Sequence, residues 1–584
     1  MRIGVYVCHC GGNISDYVDV DRVAAEASAD ADVVVARTAM FTCSDATQRE
    51  IEHDIAEQGL EGLVVASCSP KLHTSTFRDL ARRAGLNPYQ YTQVNIREQC
   101  SWAHTDDRDG ATCKAIGLVG AGVARTARSI PLEPIVVDTV PAALVIGGGV
   151  AGLRAALGFA EVGIAVYLVE RAPALGGWVG RRGETYPHSR NGGKMVATMI
   201  EALRAHPGVT VFTGAEVVSK SGSFGNYQVG IRTSTGDLTQ ASVGSIVVAT
   251  GFSTYQPQLG EYGYGLPGVL TLPQFTELLD RTDGPLIHDG RTIGSVAYIY
   301  CVGSRQDPDV AGDGAHSYCS NYCCAATAHA SIRVAVLPEG PATAVHQYHL
   351  YRDMRTYGRF ELLFGQSRER GSVYLRIPDD EPPAVSVGEA GRITVTTRDL
   401  LAGGEEFPLQ VDLVVLVTGM VARRNPELIA TLKLPVGNDG FFNEIHPKLR
   451  PVDTVVDGVY IAGACQGPKN AAESVASGLA AVTQAAGILL KGHAQIDPLI
   501  VTVDAAACTG CEQCRGACPY DALVRVVRDG VEQVTVNEAS CKGCGGCVPL
   551  CPENAIDLRG YGDRQVRDMI SRRAAPVGAQ RAPR

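Results

Sequence analysis

Nineteen cysteines stand in these 584 residues, most of them in groups. The densest groups are CTGCEQCRGACP, with Cys508, Cys511, Cys514 and Cys518, and CKGCGGCVPLCP, with Cys541, Cys544, Cys547 and Cys551. Both copies have the C-x2-C-x2-C-x3-C-P spacing that holds a pair of [4Fe–4S] clusters. Three thiolates on a tight loop cover three iron corners of a cube and leave the fourth corner out of reach. The fourth cysteine of each copy therefore serves the other cluster. The spacing predicts one cluster on Cys508, Cys511, Cys514 and Cys551 and a second on Cys541, Cys544, Cys547 and Cys518. Zinc sites also use C-x2-C pairs, but they have no use for the third loop cysteine or the trailing proline. Such clusters pass single electrons, so a two-electron substrate calls for another cofactor.

A nucleotide site is the candidate. The run AALVIGGGVAGLRAALGFAEVGIAVYLVE reads as strand, Gly-rich turn, helix and strand, with Gly147, Gly149 and Gly152 at the G-x-G-x-x-G positions and Glu170 closing the second strand. The glycines let the backbone approach a pyrophosphate at the helix N-terminus, and the carboxylate can take the ribose hydroxyls. FAD and NAD both fit this pattern; three later features favour FAD. Gly176 and Gly177 in RAPALGGWVG offer a second close approach to the diphosphate. The run SIVVATGF, with Thr250 and Gly251, is matched by DLVVLVTGM. Finally, GVYIAGACQGPKNAAESVASGLAAV carries Gly463, Gln466 and Lys469 in a turn before a helix whose N-terminus can face the flavin ring. A helix dipole and Lys469 there would stabilise an anionic reduced flavin, the catalytic role assigned to Lys469. The alternative for Lys469 is an ordinary solvated lysine. A nicotinamide site would need a second fingerprint after GSVAYIY, where the turn instead reads CVGSRQDPDV. Direct oxidation of NAD(P)H is not expected.

That turn carries Cys301, and HSYCSNYCCAATAHA adds Cys319, Cys323 and Cys324. The spacing is neither that of the C-terminal module nor that of a zinc finger. A [4Fe–4S] cluster, a redox dithiol and unliganded cysteines are the three readings, the first favoured. A cluster here would bring electrons to the flavin through iron instead of as hydride. Near the N-terminus, Cys8 and Cys10, Cys43, Cys68 and Cys100 each follow a predicted strand. In a parallel sheet those positions share the carboxyl edge, where ligands bind. They read as an additional cluster or as buried core cysteines. Cys113 and Cys465 look solitary, Cys465 close to the flavin turn.

These residues need elements to hold them. The length calls for several domains. Residues 1–130 alternate strands (RIGVYV, ADVVVA, GLVVAS, YTQVNI) with helices, as in a small parallel α/β domain. Residues 141–495 return to the α/β pattern, 496–558 form the cysteine-dense module, and 559–584 are a basic tail, read as a frayed terminus in preference to a docking arm. Hydrophobic residues make up 45% and charged residues 20%, as in ordinary globular protein. The net charge of −10 argues against general nucleic-acid binding. No apolar run is long enough to span a bilayer, and MRIGVYVCHCGG has no signal-peptide pattern, so a cytoplasmic protein is expected. There, stable disulfides are rare and clustered cysteines serve metal or redox chemistry.

Read together, VCHCGGNISD, VVASCSPKLHTSTFR, NIREQCSW, the flavin fingerprint, CVGSR…YCSNYCC, the QGPK turn and the C-terminal module resemble the A subunit of heterodisulfide reductase over nearly the whole chain. The resemblance implies an α/β, thioredoxin-reductase-like FAD domain with an N-terminal parallel α/β domain and a C-terminal two-cluster ferredoxin domain. It implies FAD, several [4Fe–4S] clusters and an oxidoreductase that exchanges electrons with ferredoxin or another carrier. The implied partners are disulfide-reductase and iron–sulfur subunits, in a larger complex containing a homodimer of this chain. Carried across, Cys301, Cys319, Cys323 and Cys324 stand at the family's atypical cluster, and Lys469 in its flavin-side turn. There is one departure. Some members insert another ferredoxin in the flavin domain, but this chain has no cysteine between Cys113 and Cys301. The expected function is electron transfer between ferredoxin-type clusters and a disulfide-reducing partner, with flavin-based bifurcation as an extension. The rivals are a conduit subunit of sulfur-compound or aromatic acyl-CoA metabolism and a self-sufficient NAD(P)H-dependent oxidoreductase.

Overall fold

The computed structural model describes residues 1–312, 314–337, 344–528 and 530–574. The chain forms two compact units, one of residues 1–137 together with those from 495 onward, the other of residues 138–494. The N-terminal domain and the cysteine-rich module, expected as separate domains, thus share one unit.

In the first unit the strands Ile3–Cys8, Val33–Ala39, Gly62–Ser67 and Tyr91–Asn95 make a parallel sheet in the order second, first, third, fourth. IGVYVC and GLVVAS are buried at every position, the continuous apolar reading of parallel strands covered on both faces. The helices between them start at side-chain caps: Asp19 accepts from the Arg22 amide and Ser44 from the Thr47 amide. The strand order reverses between the first and third strands, the switch point where such sheets open a crevice at their carboxyl edge. In the cysteine-rich module, Val501–Val503 pairs antiparallel with Ile556–Leu558, and Leu523–Arg528 with Val531–Val536.

The frayed tail expected from residue 559 is corrected by the structure. Asp563–Ala574 is a helix lying along the helix Arg108–Ala127. The reason is specific pairing: Arg128 binds Asp568 at 2.9 Å, Arg572 pairs with Asp30, and Gln565 donates to the Arg125 carbonyl at 3.3 Å. Arg125 is buried, donates to Thr92 Oγ1 at 2.9 Å and to the Gly560 carbonyl at 3.1 Å, and stacks 4.1 Å over Tyr561. Residues 575–584 lie outside the described residues.

The second unit repeats one plan twice. Its first sheet is parallel, in the order Val209–Thr213, Ala165–Glu170, Ala142–Ile146, Ser245–Val248, Val459–Ile461. The helices Val150–Glu161 and Ala471–Leu489 share a core on one face of it, through Phe159, Val482 and Leu489 among others. The antiparallel strands Ala215–Ser223, Asn226–Thr233 and Leu238–Val243 pack a second core on the other face. The second sheet is also parallel, in the order Val269–Thr271, Leu413–Thr418, Ser295–Val302, His346–Tyr351, Val373–Arg376. It too has a three-stranded antiparallel companion, Ala384–Val387, Ile393–Arg398 and Glu406–Val411. Among the described residues no helix is long and apolar enough to cross a membrane.

Candidate functional site: a flavin cavity and three groups of thiols

The strand Ala142–Ile146 turns through Gly147–Gly149 into the helix Val150–Glu161. Gly147 has φ +115°, and a Cβ there would overlap the Ala249 carbonyl. A Cβ on Gly152 would overlap the Gly147 carbonyl, so the helix can pack this closely only with glycine. At Gly149 the nearest heavy atom to an added Cβ is 4.0 Å away, which leaves open space at the helix N-terminus. Gly176 donates to the Gly148 carbonyl at 2.8 Å, setting Gly177 against Gly149. Glu170 fixes the turn from the second strand: its carboxylate accepts from the amides of Gly148 at 2.6 Å and Ala172 at 2.7 Å.

Beside this turn lies a cavity of about 480 Å³. Gly149, Glu170, Gly177, Thr250, Gly251, Gly463 and Lys469 line it; Gly147, Gly152, Gly176 and Gln466 do not. Thr250 Oγ1 is buried with no hydrogen-bond partner. A dinucleotide fits this arrangement: glycine-opened space at a helix N-terminus, a carboxylate at a strand end and an unsatisfied hydroxyl. FAD would be held by these residues. Trp178, Tyr186, Phe252 and Tyr322 also face the cavity. They were not expected from the sequence, although Trp178 lies inside the RAPALGGWVG run.

Lys469 closes one side. Its Nζ donates to Gln466 Oε1 at 2.7 Å, and Gln466 Nε2 is anchored on Glu444 at 2.8 Å. Burial lowers the lysine pKa, opposed by the negative charge of Cys465, Glu444 and Glu473. Asn470 next to it caps the helix Ala471–Leu489 in a reciprocal box with Glu473. Cys465 does not face the cavity: it is buried in the core, its thiol directed at the carbonyls of Ala462 and Val248 at 3.2 and 3.3 Å.

The quartet sits at the matching place in the second half. Cys301 lies at the end of the strand Ser295–Val302 with φ +61°, and Cys323 and Cys324 open the helix Cys323–Ala335. This is the strand–turn–helix position that a second nucleotide fingerprint would occupy. The thiols act on one another. Burial pushes Cys301 up to about 11, with Cys324 and Cys319 adding to the rise. Cys323 donates to Cys324, which lowers the latter, as does the Arg355 amide. Tyr322 and Ala326, flanking the pair, line the flavin cavity. Tyr357 donates to Glu473 at 2.6 Å, and its hydroxyl is also affected by Cys319, so this tyrosine stands between the quartet and the cap of the flavin-side helix.

In the first unit, Cys8, Cys10, Cys43 and Cys68 gather at the carboxyl edge of the sheet. Arg97 donates to Cys10 Sγ at 3.5 Å, and Cys8 Sγ accepts from the Thr42 amide at 3.4 Å. Cys43 is raised by burial and by Cys8 and Cys10; Cys68 is pushed up to about 11 by burial, with Arg97 opposing and Cys10 and Cys43 adding. Cys100 is fully buried in the core, and the cations acting on its thiol are Lys114 and Arg573. It lies on the short helical turn after the fourth strand, which carries it inward from the edge. In the cysteine-rich module, Cys508, Cys511, Cys514 and Cys551 line one cavity, and Cys547 is raised by burial and then by Cys541, Cys518 and Cys544. Each group therefore takes one cysteine from the other copy. Among the described residues no three His, Cys, Asp or Glu side chains are placed to bind a single metal ion; a four-iron cube spreads its ligands over separate corners.

Residues 141–309 match the family of pyridine nucleotide-disulphide oxidoreductases, and residues 500–552 match the 4Fe-4S dicluster domain. Fold and site together define a flavin-dependent oxidoreductase that carries iron–sulfur clusters. The chain is 36% identical to the iron–sulfur A subunit 2 of CoB–CoM heterodisulfide reductase from Methanopyrus kandleri, over 91% of this chain and 92% of that one. It is 35% identical to the A subunit of H(2):CoB-CoM heterodisulfide,ferredoxin reductase from Methanothermobacter thermautotrophicus, over 89% and 90%. Its identity with the iron–sulfur A subunit of CoB–CoM heterodisulfide reductase from Methanocaldococcus jannaschii is 34%, over 97% and 98%. A thioredoxin reductase structure from T. acidophilum is also similar, at 15% identity, over 59% of this chain and 97% of that one, with a TM-score of 0.39. The chain belongs to the family of heterodisulfide reductase A subunits.

Proposed function

We propose that this chain is the flavin-carrying electron-transfer subunit of a heterodisulfide-reductase-like complex, in which a partner subunit cleaves the disulfide. The observation that carries the reading is the quartet, which stands where a nicotinamide fingerprint would stand and flanks the flavin cavity through Tyr322 and Ala326. A bound FAD supplies the exchange of an electron pair for two single electrons. Gly149, Gly177 and Thr250 would hold its diphosphate and Glu170 its ribose, while Lys469, held by Gln466, sets a positive charge beside it. In this reading Cys508, Cys511, Cys514 and Cys551 bind one cluster, and Cys541, Cys544, Cys547 and Cys518 another. Cys301, Cys319, Cys323 and Cys324 bind a third, and Cys8, Cys10, Cys43 and Cys68 a fourth, with Cys100 a core residue. The clusters then supply one-electron branches to a two-electron centre, as bifurcation requires. The Methanothermobacter relative, whose name includes both a heterodisulfide and ferredoxin, supports two acceptors.

Anaerobic purification with identification of partners tests this. The expected result is one flavin and about 16 iron atoms per chain, four per cluster, with a cysteine-rich disulfide-reductase subunit in a cytoplasmic complex containing two copies of this chain. An acyl-CoA reductase as the copurifying partner would favour the conduit reading. Flavin bleaching by NADH in the isolated chain would favour a self-sufficient enzyme. A colourless preparation without flavin or iron would end the proposal.

A further inference from the structure

Three parallel strands end side by side at the quartet. Ser295–Val302 delivers Cys301, His346–Tyr351 beside it delivers Arg352, Asp353 and Arg355, and Val373–Arg376, paired through Tyr351 and Arg376, delivers Arg376. Arg305 belongs to the same edge, since its amide donates to the Tyr318 carbonyl at 2.9 Å, next to Cys319. Arg352 Nη1 donates to the Arg305 carbonyl at 3.1 Å, and Arg305 Nη2 donates to Asp353 at 3.0 Å. Asp379 stands 3.9 Å from Arg305 and 3.7 Å from Arg352. Four arginines thus meet two aspartates at this edge, a positive excess. Arg305 and Arg352 keep only 15% and 17% of their side-chain surface exposed. Two of their nitrogens, Arg305 Nη1 and Arg352 Nε, are buried with no hydrogen-bond partner; the second has only the Asp379 carboxylate at 3.7 Å, beyond hydrogen-bond reach. Buried guanidinium donors without acceptors are costly, and they indicate that an anionic acceptor belongs there.

We propose that Arg305 and Arg352, with the charge of Arg355 beside them, form a cationic collar in which the buried N–H groups of the first two bind the sulfur atoms of a cluster at the quartet and make that cluster easier to reduce. The inference rests on the cluster reading of the quartet given above. Reduction adds one electron, hence one negative charge, to a buried site. Burial opposes that charge, whereas hydrogen bonds to sulfur and nearby cations favour it. The collar supplies both and so places this cluster on the electron-accepting side of the flavin. It needs no change in ligands, only the guanidinium groups that the adjacent strands bring to the same edge.

The test is a potentiometric titration of the anaerobically purified full chain, followed by electron paramagnetic resonance, with iron and flavin content measured in parallel. Cys324→Ser first identifies the signal of this cluster by its loss. In Arg305→Gln and Arg352→Gln that signal should remain but need a lower potential. At the wild-type midpoint the ratio of reduced to oxidised cluster should fall about tenfold, equivalent to about 59 mV for a one-electron couple. The other signals should stay in place. Arg305→Lys, which keeps the charge, should retain most of the effect, and Arg281→Gln, at an exposed surface pair with Glu277, should change nothing. A cluster that is present with an unmoved midpoint in both glutamine variants overturns the collar while leaving the cluster standing. Iron content and signals unaffected by Cys324→Ser overturn both.

Discussion

At Gly152 even a methyl group would run into the Gly147 carbonyl. Gly152→Ala should therefore cost about 1–3 kcal/mol, as overpacking typically does. It should also lower the flavin-to-protein ratio, because relief of the clash must move the turn that faces the cofactor. Absorbance of the purified variant and a thermal melt check both. In the proposed role Lys469 acts by charge. Lys469→Met should make the flavin harder to reduce by several tens of millivolts, given that roughly 1.4 kcal/mol corresponds to about 30 mV for a two-electron couple. Lys469→Arg should keep most of the wild-type potential; a potentiometric titration of the flavin band separates the two. Much of this was legible in the sequence. Gly147, Gly149, Gly152 and Glu170 could be read because a fingerprint is a local pattern, with turn, helix and carboxylate fixed by short spacings. Trp178, Phe252 and Tyr322 could not, because they meet at the cavity only once distant strands have paired. Cys100 differs from its expected companions in local setting. It follows a strand as Cys68 does, but a single helical turn, Arg97–Ser101, sends it into the core.

The second parallel sheet carries a titration of its own. His349 lies stacked between Tyr298, at 4.5 Å, and Tyr374, at 4.2 Å, with no exposed surface. Tyr300 Oη lies 2.9 Å from its Nδ1, and burial lowers its pKa to about 3. Below about pH 6.5 the unfolded chain takes up a proton here that the folded chain refuses until about pH 3. Stability is thus fully present above 6.5 and falls as the pH drops, by up to about 1.4 kcal/mol per unit. His329, lowered to about 4 mainly by burial, acts in the same direction over a shorter span. Denaturant unfolding between pH 7 and pH 5 should show the slope, and His349→Phe should flatten it by about one proton's worth, whatever it costs at pH 7. The strands of this sheet could be read from runs such as GSVAYIY and DLVVLV, which are apolar enough to be covered on both faces. The stack could not: His349, Tyr298 and Tyr374 come from three strands, and only the parallel register brings them together.

For the molecule as a whole, the sequence divided the chain by composition, and the fold divides it by contact. The two units part at residues 137 and 494. Composition could not show that the flanking segments join. That union depends on a few side chains, chiefly Arg125 with Thr92, Gly560 and Tyr561, and on the helix Asp563–Ala574. Truncation after Gly562 should loosen the cysteine-rich module from the N-terminal sheet, and limited proteolysis should then cut near residues 495–500 faster than in the full chain. Arg125→Ala should go the same way to a smaller degree.

The joining of residues 1–137 with those from 495 onward has a consequence for biosynthesis. A ribosome adding roughly 5–20 residues per second needs on the order of 20–70 s to make the stretch between them. Throughout that interval the first sheet is without the helix that will lie against Arg108–Ala127. In the proposed reading, iron for the N-terminal cysteines would be called for while the cysteines of the C-terminal module are still untranslated, an order of assembly for the metal centres.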